Sequence, residues 1–375
     1  MSYISPRVKP IYPLYKLNSN IFRIGAQLGI TTEIEEEDNQ FWTLANLLNG
    51  KNKLGHIITS MQKKYPELTE QNIVDGINLL NDEGVLEESL PNKATEERYL
   101  PNVNYFSRFI DTSGDRFLIQ KEINETKILL LGLGGGGSNI LTLLAGLGPK
   151  SIKIVDYDIV ELGNLGRQFL YRENDIGKKK TEIAKSAVEK MNSLIKIEAF
   201  DKKIVVVEDV LELINDVDIV ICAIDEPPFI IHRIVNEAIV KAGIPCVFGA
   251  SQVSRGRVYS VVPRVTGCFD WLNLHFSKND SKFIEQFIAF RNINFDPPSI
   301  AYGPGIFQLV AGIVDEVVRI ITQYAPPRSL GTQYEINYED GSSFCHPSWP
   351  RFASECPTCG AGNHDDWAIF QYYKQ

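Results

Sequence analysis

No stretch of this 375-residue sequence carries enough consecutive apolar residues to cross a bilayer, and its opening, MSYISPRVKP, lacks the apolar core of a secretion signal. From the absence of both, a cytoplasmic location without a membrane partner is the expectation. Cysteine is scarce. The six present are too few for a disulfide scaffold, and Cys222 and Cys246 lie inside the apolar runs DIVICAID and IPCVFGA, where they read as buried, inert thiols. Positive charge is in deficit too. With 38 Lys and Arg against 47 Asp and Glu, the formal net charge is −9, which argues against a general nucleic-acid binder. Internal repeats and low-complexity tracts are absent. What remains is an ordinary globular composition, 44% hydrophobic and 23% charged, over a length that suits two domains.

Residues 1–92 read as a small α+β domain. The strand-like runs IYPLYKL and IFRIGAQLG flank a turn at Asn18-Ser19-Asn20. Three helical stretches follow: FWTLANLLNG, LGHIITSMQKKY, and TEQNIVDGINLLNDEG, the last capped by Thr69. A hairpin plus three helices is the outline of a winged-helix domain. Its third helix carries Glu70, Asp75, Asp82 and Glu83 and no Lys or Arg, so peptide or protein docking suits it better than a DNA duplex. A linker and helical segment, 93–126, leads to a second domain over 127–375. There strands alternate with helices, which predicts an α/β domain with a mostly parallel, Rossmann-like sheet.

The chemistry starts where the strand KILLL runs into Gly132-Leu133-Gly134-Gly135-Gly136-Gly137-Ser138-Asn139 and then a helix. Gly132, Gly134 and Gly137 fit G-x-G-x-x-G, and Gly135 adds to the run. Without Cβ atoms the turn can be tight, phosphate can approach the backbone, and the helix N-terminus favours the anion. Asp156 ends the next strand, at a suitable distance to hydrogen-bond ribose hydroxyls. The loop alone does not separate ATP from a nicotinamide dinucleotide.

Beyond Asp156 runs ELGNLGRQFLYRENDIGKKK. With the glycine loop, Asp156-x-Asp158, Asn164-x-x-Arg167-Gln168, Gly177-x-x-Lys180 and a strand-ending Asp225, the sequence resembles the ubiquitin-activating-type (ThiF- and MoeB-like) adenylyltransferase superfamily. That superfamily includes activators of sulfur carriers and the microcin C and pantocin-type peptide-modifying enzymes. The resemblance implies that ATP is bound with Mg²⁺. Asp156, with Asp158 and Gln168 beside the nucleotide, would hold ribose, Asn164 and Arg167 would contact the phosphates, Lys180 would neutralise them, and Asp225 would position magnesium. Lys178 and Lys179 are close enough to be confused with Lys180. The family's upstream Arg-Tyr-x-Arg element departs here. Asn104-Tyr105-Phe106-Ser107-Arg108 stands in its place, with Arg108 as the candidate and Arg98 and Arg116 as competitors.

Between Trp271 and Gly305 there is no cysteine, so a thioester relay of the ubiquitin-activating kind is not expected. The acyl adenylate is expected to be captured by the substrate's own nucleophile. By pattern, the first domain resembles the leader-recognition domains of peptide natural-product enzymes, which implies a ribosomal precursor peptide as partner, held through its leader. Resemblance also implies a homodimer. Cys356-Pro-Thr-Cys359 is a C-x-x-C knuckle that the family pairs with a second one to hold structural Zn²⁺; here only Cys268 remains of that pair, with Trp271 at the other ligand position. Cys345, His346 or His364 could supply the fourth ligand. Three other readings stand beside this one: a catalytically silent leader-binding scaffold, a sulfur-carrier activator and a nicotinamide-dependent oxidoreductase.

Overall fold

The computed structural model describes residues 3–90, 97–226, 230–291, 300–347 and 354–364, and divides into two compact units, Met1–Glu122 and Ile123–Gln375. The first unit holds β1 (Pro6–Val8), β2 (Leu14–Lys16), β3 (Ile21–Ile24), β4 (Thr32–Glu35), α1 (Gln40–Leu47), α2 (Leu54–Lys64), α3 (Glu70–Asp82), β5 (Leu86–Glu88) and α4 (Leu100–Phe106), and α5 (Leu118–Glu125) runs across the division. Strands β2, β3 and β4 form an antiparallel sheet, and β1 pairs with β5. The β2–β3 turn is held by Asn18, whose Oδ1 accepts the N–H groups of Asn20 (2.9 Å) and Ile21 (2.8 Å). Thr69 caps α3 in a reciprocal box with Asn72, satisfying two helix-end donors.

The sheet's third strand, β4, is not signalled by composition, since TEIEEED reads as a solvated acidic stretch. Period-2 alternation accounts for it: Ile34 turns to the unit's core while Glu33 and Glu35 stay exposed, and Arg23 on β3 pairs with Glu33 at 2.6 Å. The core gathers Phe22, Ile24, Leu44, Ile57, Met61, Ile73, Ile77 and Leu80.

In the second unit β6 (Lys127–Leu131), α6 (Gly135–Leu147), β7 (Ser151–Asp156), α7 (Lys180–Met191), β8 (Lys196–Asp201), α8 (Val207–Leu211), β9 (Ile219–Cys222), α9 (Ile230–Ala242) and β10 (Cys246–Ser251) alternate along the chain. They are followed by β11 (Arg255–Val261), α10 (Phe269–Asn279), α11 (Ser281–Arg291), α12 (Gly303–Thr322), β12 (Gln333–Asn337) and β13 (Ser343–Cys345). The sheet order is β13-β12-β11-β10-β9-β6-β7-β8; β8, β7, β6, β9 and β10 are parallel and the remaining three antiparallel. The mostly parallel α/β sheet expected from the sequence is there.

Successive residues of β6 serve opposite faces. Ile128 and Leu130 pack with α6, α7 and α12, while Leu129 and Leu131 pack with α8, α9 and α10. A strand covered on both sides has to be apolar throughout, which is why KILLL shows no alternation. One helix reading shifts. Helix α6 starts at Gly135, three residues before the apolar run, because the glycines themselves form its first turn. On α7, Met191 is 43% exposed, and the helix's first turn buries Lys180 and Thr181. No helix among the described residues is long and apolar enough to cross a membrane.

Candidate functional site

Strand order changes direction at β6, with β7 and β8 on one side and β9 and β10 on the other, so a crevice opens beyond the carboxyl ends of β6 and β9. The glycine turn fills that position. Gly132 has φ +93°, and a Cβ there would lie 2.6 Å from the Ala223 carbonyl oxygen that follows β9. A Cβ on Gly137 would lie 1.9 Å from the oxygen of Gly132. These two glycines are therefore demanded by the turn and by helix–strand packing. Gly134 differs, because a Cβ there meets nothing within 4 Å. The backbone at Gly134 borders open space, at the end of α6 where helix N–H groups lack intrahelical acceptors.

Asp156, at the end of β7, is committed to the chain in part. Its Oδ2 accepts the Leu133 N–H at 2.6 Å and its Oδ1 the Asp158 N–H at 2.8 Å, which pins the glycine turn to β7. Each carboxylate oxygen keeps a further lone pair for an outside donor. Tyr171 adds a second clamp, its hydroxyl donating to the Leu133 carbonyl at 3.0 Å.

The segment after β7 brings Arg167 to the same place. Asn164 is buried and its Oδ1 accepts the Glu161 N–H (3.1 Å), while its carbonyl accepts the N–H groups of Arg167 (3.1 Å) and Gln168 (2.9 Å). Asn139 of α6 donates to the Arg167 carbonyl at 2.7 Å. The Arg167 side chain then lies along the first turn of α6, its Cδ 3.4 Å from where a Gly135 Cβ would be, with Nη1 donating to Gly163 at 2.8 Å. Gln168 is buried, and its Oε1 has no hydrogen-bond partner among the described residues. The opening of α12 closes in here as well: a Gly303 Cβ would lie 3.2 Å from the Gly166 oxygen, and Phe169 stacks on Phe307 at 5.3 Å.

The three lysines separate by partner. Lys178 pairs with Asp175 and Lys179 with Asp201, both at the surface, whereas Lys180 is 4% exposed and its Nζ sits 2.9 Å from Asp158. Of the three, Lys180 is the one directed to the carboxyl end of β7. Asp225, just after β9, is exposed. Tyr157 is pushed above the usual phenol range by burial and then by Asp158, Glu226, Asp156 and Asp225. Sequence reasoning missed His232, whose Nε2 lies 3.0 Å from the Ile224 carbonyl, which meets the stacked rings of Phe248 and Phe269 edge-on, and which anchors the residue preceding Asp225. An isolated histidine in an apolar helix carries no signal that could have singled it out.

Arg108 lies in the first unit, its guanidinium over the rings of Tyr105 (5.7 Å) and Phe109 (5.6 Å). Of its competitors, Arg116 is buried, with Nη1 on Glu87 and Nη2 on Asn104, each at 2.6 Å. Arg98 is exposed.

Cys268, Cys356 and Cys359 converge, their sulfurs all within 4.8 Å of one another and Cys268 Sγ 3.6 Å from Cys356 Sγ. Burial raises the Cys268 thiol well above its ordinary range, and the other two sulfurs add to this. Two buried sulfurs and a half-buried one, with the Cys268 thiol disfavoured as an anion, suit a bound cation, which reverses that preference. Cys345, on β13, is exposed and stands outside the group. Trp271 is buried, stacks on His275 at 5.6 Å, and fills core space where the family has a ligand. The knuckle is tied down by Asp270, which accepts from Thr358 (2.5 Å) and pairs with Arg233 of α9 (2.7 Å).

Residues 99–358 match the model of the ThiF family. The chain is 37% identical over 155 residues to the sulfur carrier protein ThiS adenylyltransferase of Bacillus subtilis, a match covering 41% of this chain and 45% of that protein, so the chain spans less than half the length of that relative. E. coli MccB, solved with ATP and, as the microcin C7 biosynthetic enzyme, with N-formylated MccA, shares the fold at a TM-score of 0.76 and 22% identity, over 95% of this chain and 99% of that one. PaaA is similar at a TM-score of 0.70 and 19% identity, over 92% of this chain and 100% of PaaA. A family match over most of its length settles the class of the chain: it belongs to the ThiF family.

Proposed function

We propose that the second unit binds ATP at the glycine turn and uses it to adenylate a carboxylate of a ribosomally made precursor peptide. The observation that carries this reading is the meeting of an open-faced glycine turn, Arg167 along its helix and the Lys180–Asp158 pair beyond the carboxyl ends of the interior strands β6 and β7. In the reaction a carboxylate oxygen attacks the α-phosphorus, the bond from that phosphorus to the β-bridging oxygen breaks, and pyrophosphate leaves. Charge grows on the phosphate oxygens and the leaving group. Arg167 and Lys180 are read as stabilising it, with Asn164 and Gln168 beside them, and Asp156 as keeping acceptor capacity for ribose hydroxyls. Asp225 would hold Mg²⁺, which would supply further neutralisation of phosphate charge. A catalytically silent scaffold would have no use for this set. The test is ATP–pyrophosphate exchange: a leader-bearing substrate peptide is expected to stimulate exchange, and a chain that neither binds ATP nor exchanges with any such peptide would remove the reading.

The first unit, with its hairpin, third strand and three helices, is read as a winged-helix domain that docks the peptide leader, as an added strand on the sheet. The likeness to MccB, solved with its MccA peptide, supports that assignment. The chain is read as a homodimer. Sulfur-carrier activation is the second reading, favoured by the match to the Bacillus relative and disfavoured by the first unit, which such chemistry does not need.

Zn²⁺ is read as structural, at Cys268, Cys356 and Cys359. About one zinc per chain is expected on purification. Chelation should lower the melting temperature, and a contribution of about 2 kcal/mol corresponds to roughly 4–8 °C in a unit of this size. Elemental analysis with a melting curve checks both, and Cys356→Ser is expected to abolish retention of the metal. A metal-free chain whose melting ignores chelators would remove the site.

A further inference from the structure

The first unit contains a cavity of about 440 Å³ lined by the β1–β2 connection, the loop after β3, and α4 with the turn that follows it. That volume lies within the roughly 300–1,000 Å³ typical of small-ligand sites. Apolar walls come from Ile11, Pro13, Ala26 and Ile30, and aromatic ones from Tyr12 and Tyr105. The polar lining is unbalanced. It contains Arg108, Asn104 and Gln27 and no Asp or Glu.

The donors in this lining are fixed by chemistry rather than by choice of rotamer. Arg116 is buried and can only donate, so Asn104, which receives its Nη2 at 2.6 Å, must turn its oxygen to Arg116. The Asn104 amide then keeps its N–H groups for another acceptor. Glu87, 1% exposed and paired with Arg116 at 2.6 Å, holds that arrangement from behind. Arg108 spends only the face of its guanidinium, on the rings of Tyr105 and Phe109, and its in-plane N–H fork meets no carboxylate among the described residues. Lys9, itself buried, donates from Nζ to the Arg108 carbonyl at 3.5 Å and to Gly84 at 2.6 Å, which fixes the turn that carries the arginine. The floor is closed by Gly25, which donates to the Pro13 carbonyl at 2.9 Å and has φ +99°.

The geometry points to a subsite for a peptide carboxylate flanked by an aliphatic side chain, an Asp or Glu next to Leu, Ile or Val in the bound peptide. The carboxylate takes the Arg108 fork, with the Asn104 amide as a further donor, and the aliphatic neighbour lies on Ile11, Pro13 and Ile30. In a chain of net charge −9 this is a local attraction for an acidic segment that the overall charge would repel. The assignment builds on the peptide-docking role proposed above for the first unit, and its test needs no ATP, so the subsite and the adenylation chemistry stand or fall separately.

The test compares two short probes on the full chain by ligand-observed NMR: acetyl-Leu-Glu-Leu-amide and its counterpart acetyl-Leu-Gln-Leu-amide. The glutamate probe is expected to bind at least about tenfold more tightly, since a bidentate charge-assisted pair is lost with the amide. Arg108→Gln should erase that ratio, and Arg108→Lys should recover only part of it, a point charge replacing a planar fork. Equal affinity of the two probes, a ratio that survives Arg108→Gln, or displacement of the glutamate probe by acetate at the concentration that displaces it from bulk anion sites would each overturn the assignment. The rival role for Arg108, as a cation reaching the nucleotide, predicts weakened ATP binding in Arg108→Gln with the probe ratio intact, and that result overturns it too.

Discussion

Arg167→Ala is expected to lower peptide-dependent pyrophosphate exchange by roughly 10²–10³-fold, about 2.7–4 kcal/mol of transition-state stabilisation, while leaving leader binding unchanged. The guanidinium is placed over the first turn of α6, where its alkyl stem packs on Gly135 and its Nη1 donates to Gly163. Removing it takes away a fixed cation at the point where charge is proposed to develop, yet the backbone that carries it stays, because the Arg167 carbonyl is held independently by Asn139. The loss should appear in kcat more than in the ATP concentration needed for half-maximal rate, since the group acts on charge that grows during the reaction. Asp225→Ala should be as damaging, and extra Mg²⁺ should restore part of its rate but none of that of Arg167→Ala. Leader affinity, measured by anisotropy of a labelled peptide, is the control. Retained exchange in Arg167→Ala would mean that the residue is a surface arginine held by a turn, and the ATP site would have to be sought elsewhere.

The second unit was legible to different depths. The parallel core announced itself because both sheet faces are covered, so KILLL, DIVIC and IPCVF have to be continuously apolar. The three antiparallel strands at the far edge did not, since β11 mixes Arg255 and Arg257 into its pattern and both pair with the buried Glu335. A charge that is satisfied only by tertiary contact looks like a surface charge in sequence. The same blindness affected Asp156, which reads as a ligand-binding acid and turns out to tie Leu133 and Asp158 to β7 as well. In the other direction, three adjacent lysines are indistinguishable until Asp175, Asp201 and Asp158 sort them in space. Cys345 illustrates why ligand spacing is weak without its pair: it stands eleven residues before Cys356 in the chain, but β13 carries it to an exposed edge. The glycine turn was the best-read feature, because what it requires is the absence of atoms.

That requirement gives the largest effect on folding. Gly137→Ala is expected to leave the second unit unfolded or insoluble, and Gly134→Ala to fold. A methyl on Gly137 would sit 1.9 Å from the Gly132 oxygen, far inside contact distance, and the atom it strikes is backbone that cannot swing away. Relief by moving Gly132 is blocked in turn, because that residue has φ +93° and is packed against the Ala223 carbonyl. The turn would have to separate from β9 or α6 from β6, and either exposes the core residues Leu131, Leu133 and Ile140. Substitutions that cost more than about 4–5 kcal/mol take most of the stability of a domain held by roughly 5–15 kcal/mol. At Gly134 the added methyl meets no atom of the described residues within 4 Å, so its effect is a small change in backbone freedom. It projects instead into the space where the phosphates are proposed to lie, so the folded Gly134→Ala chain should bind ATP at least about tenfold more weakly, the loss of roughly one charge-assisted hydrogen bond. Melting curves and ATP titration on the pair separate the two roles: a stable Gly137→Ala chain would contradict the packing, and undiminished ATP binding in Gly134→Ala would contradict the placement of the nucleotide.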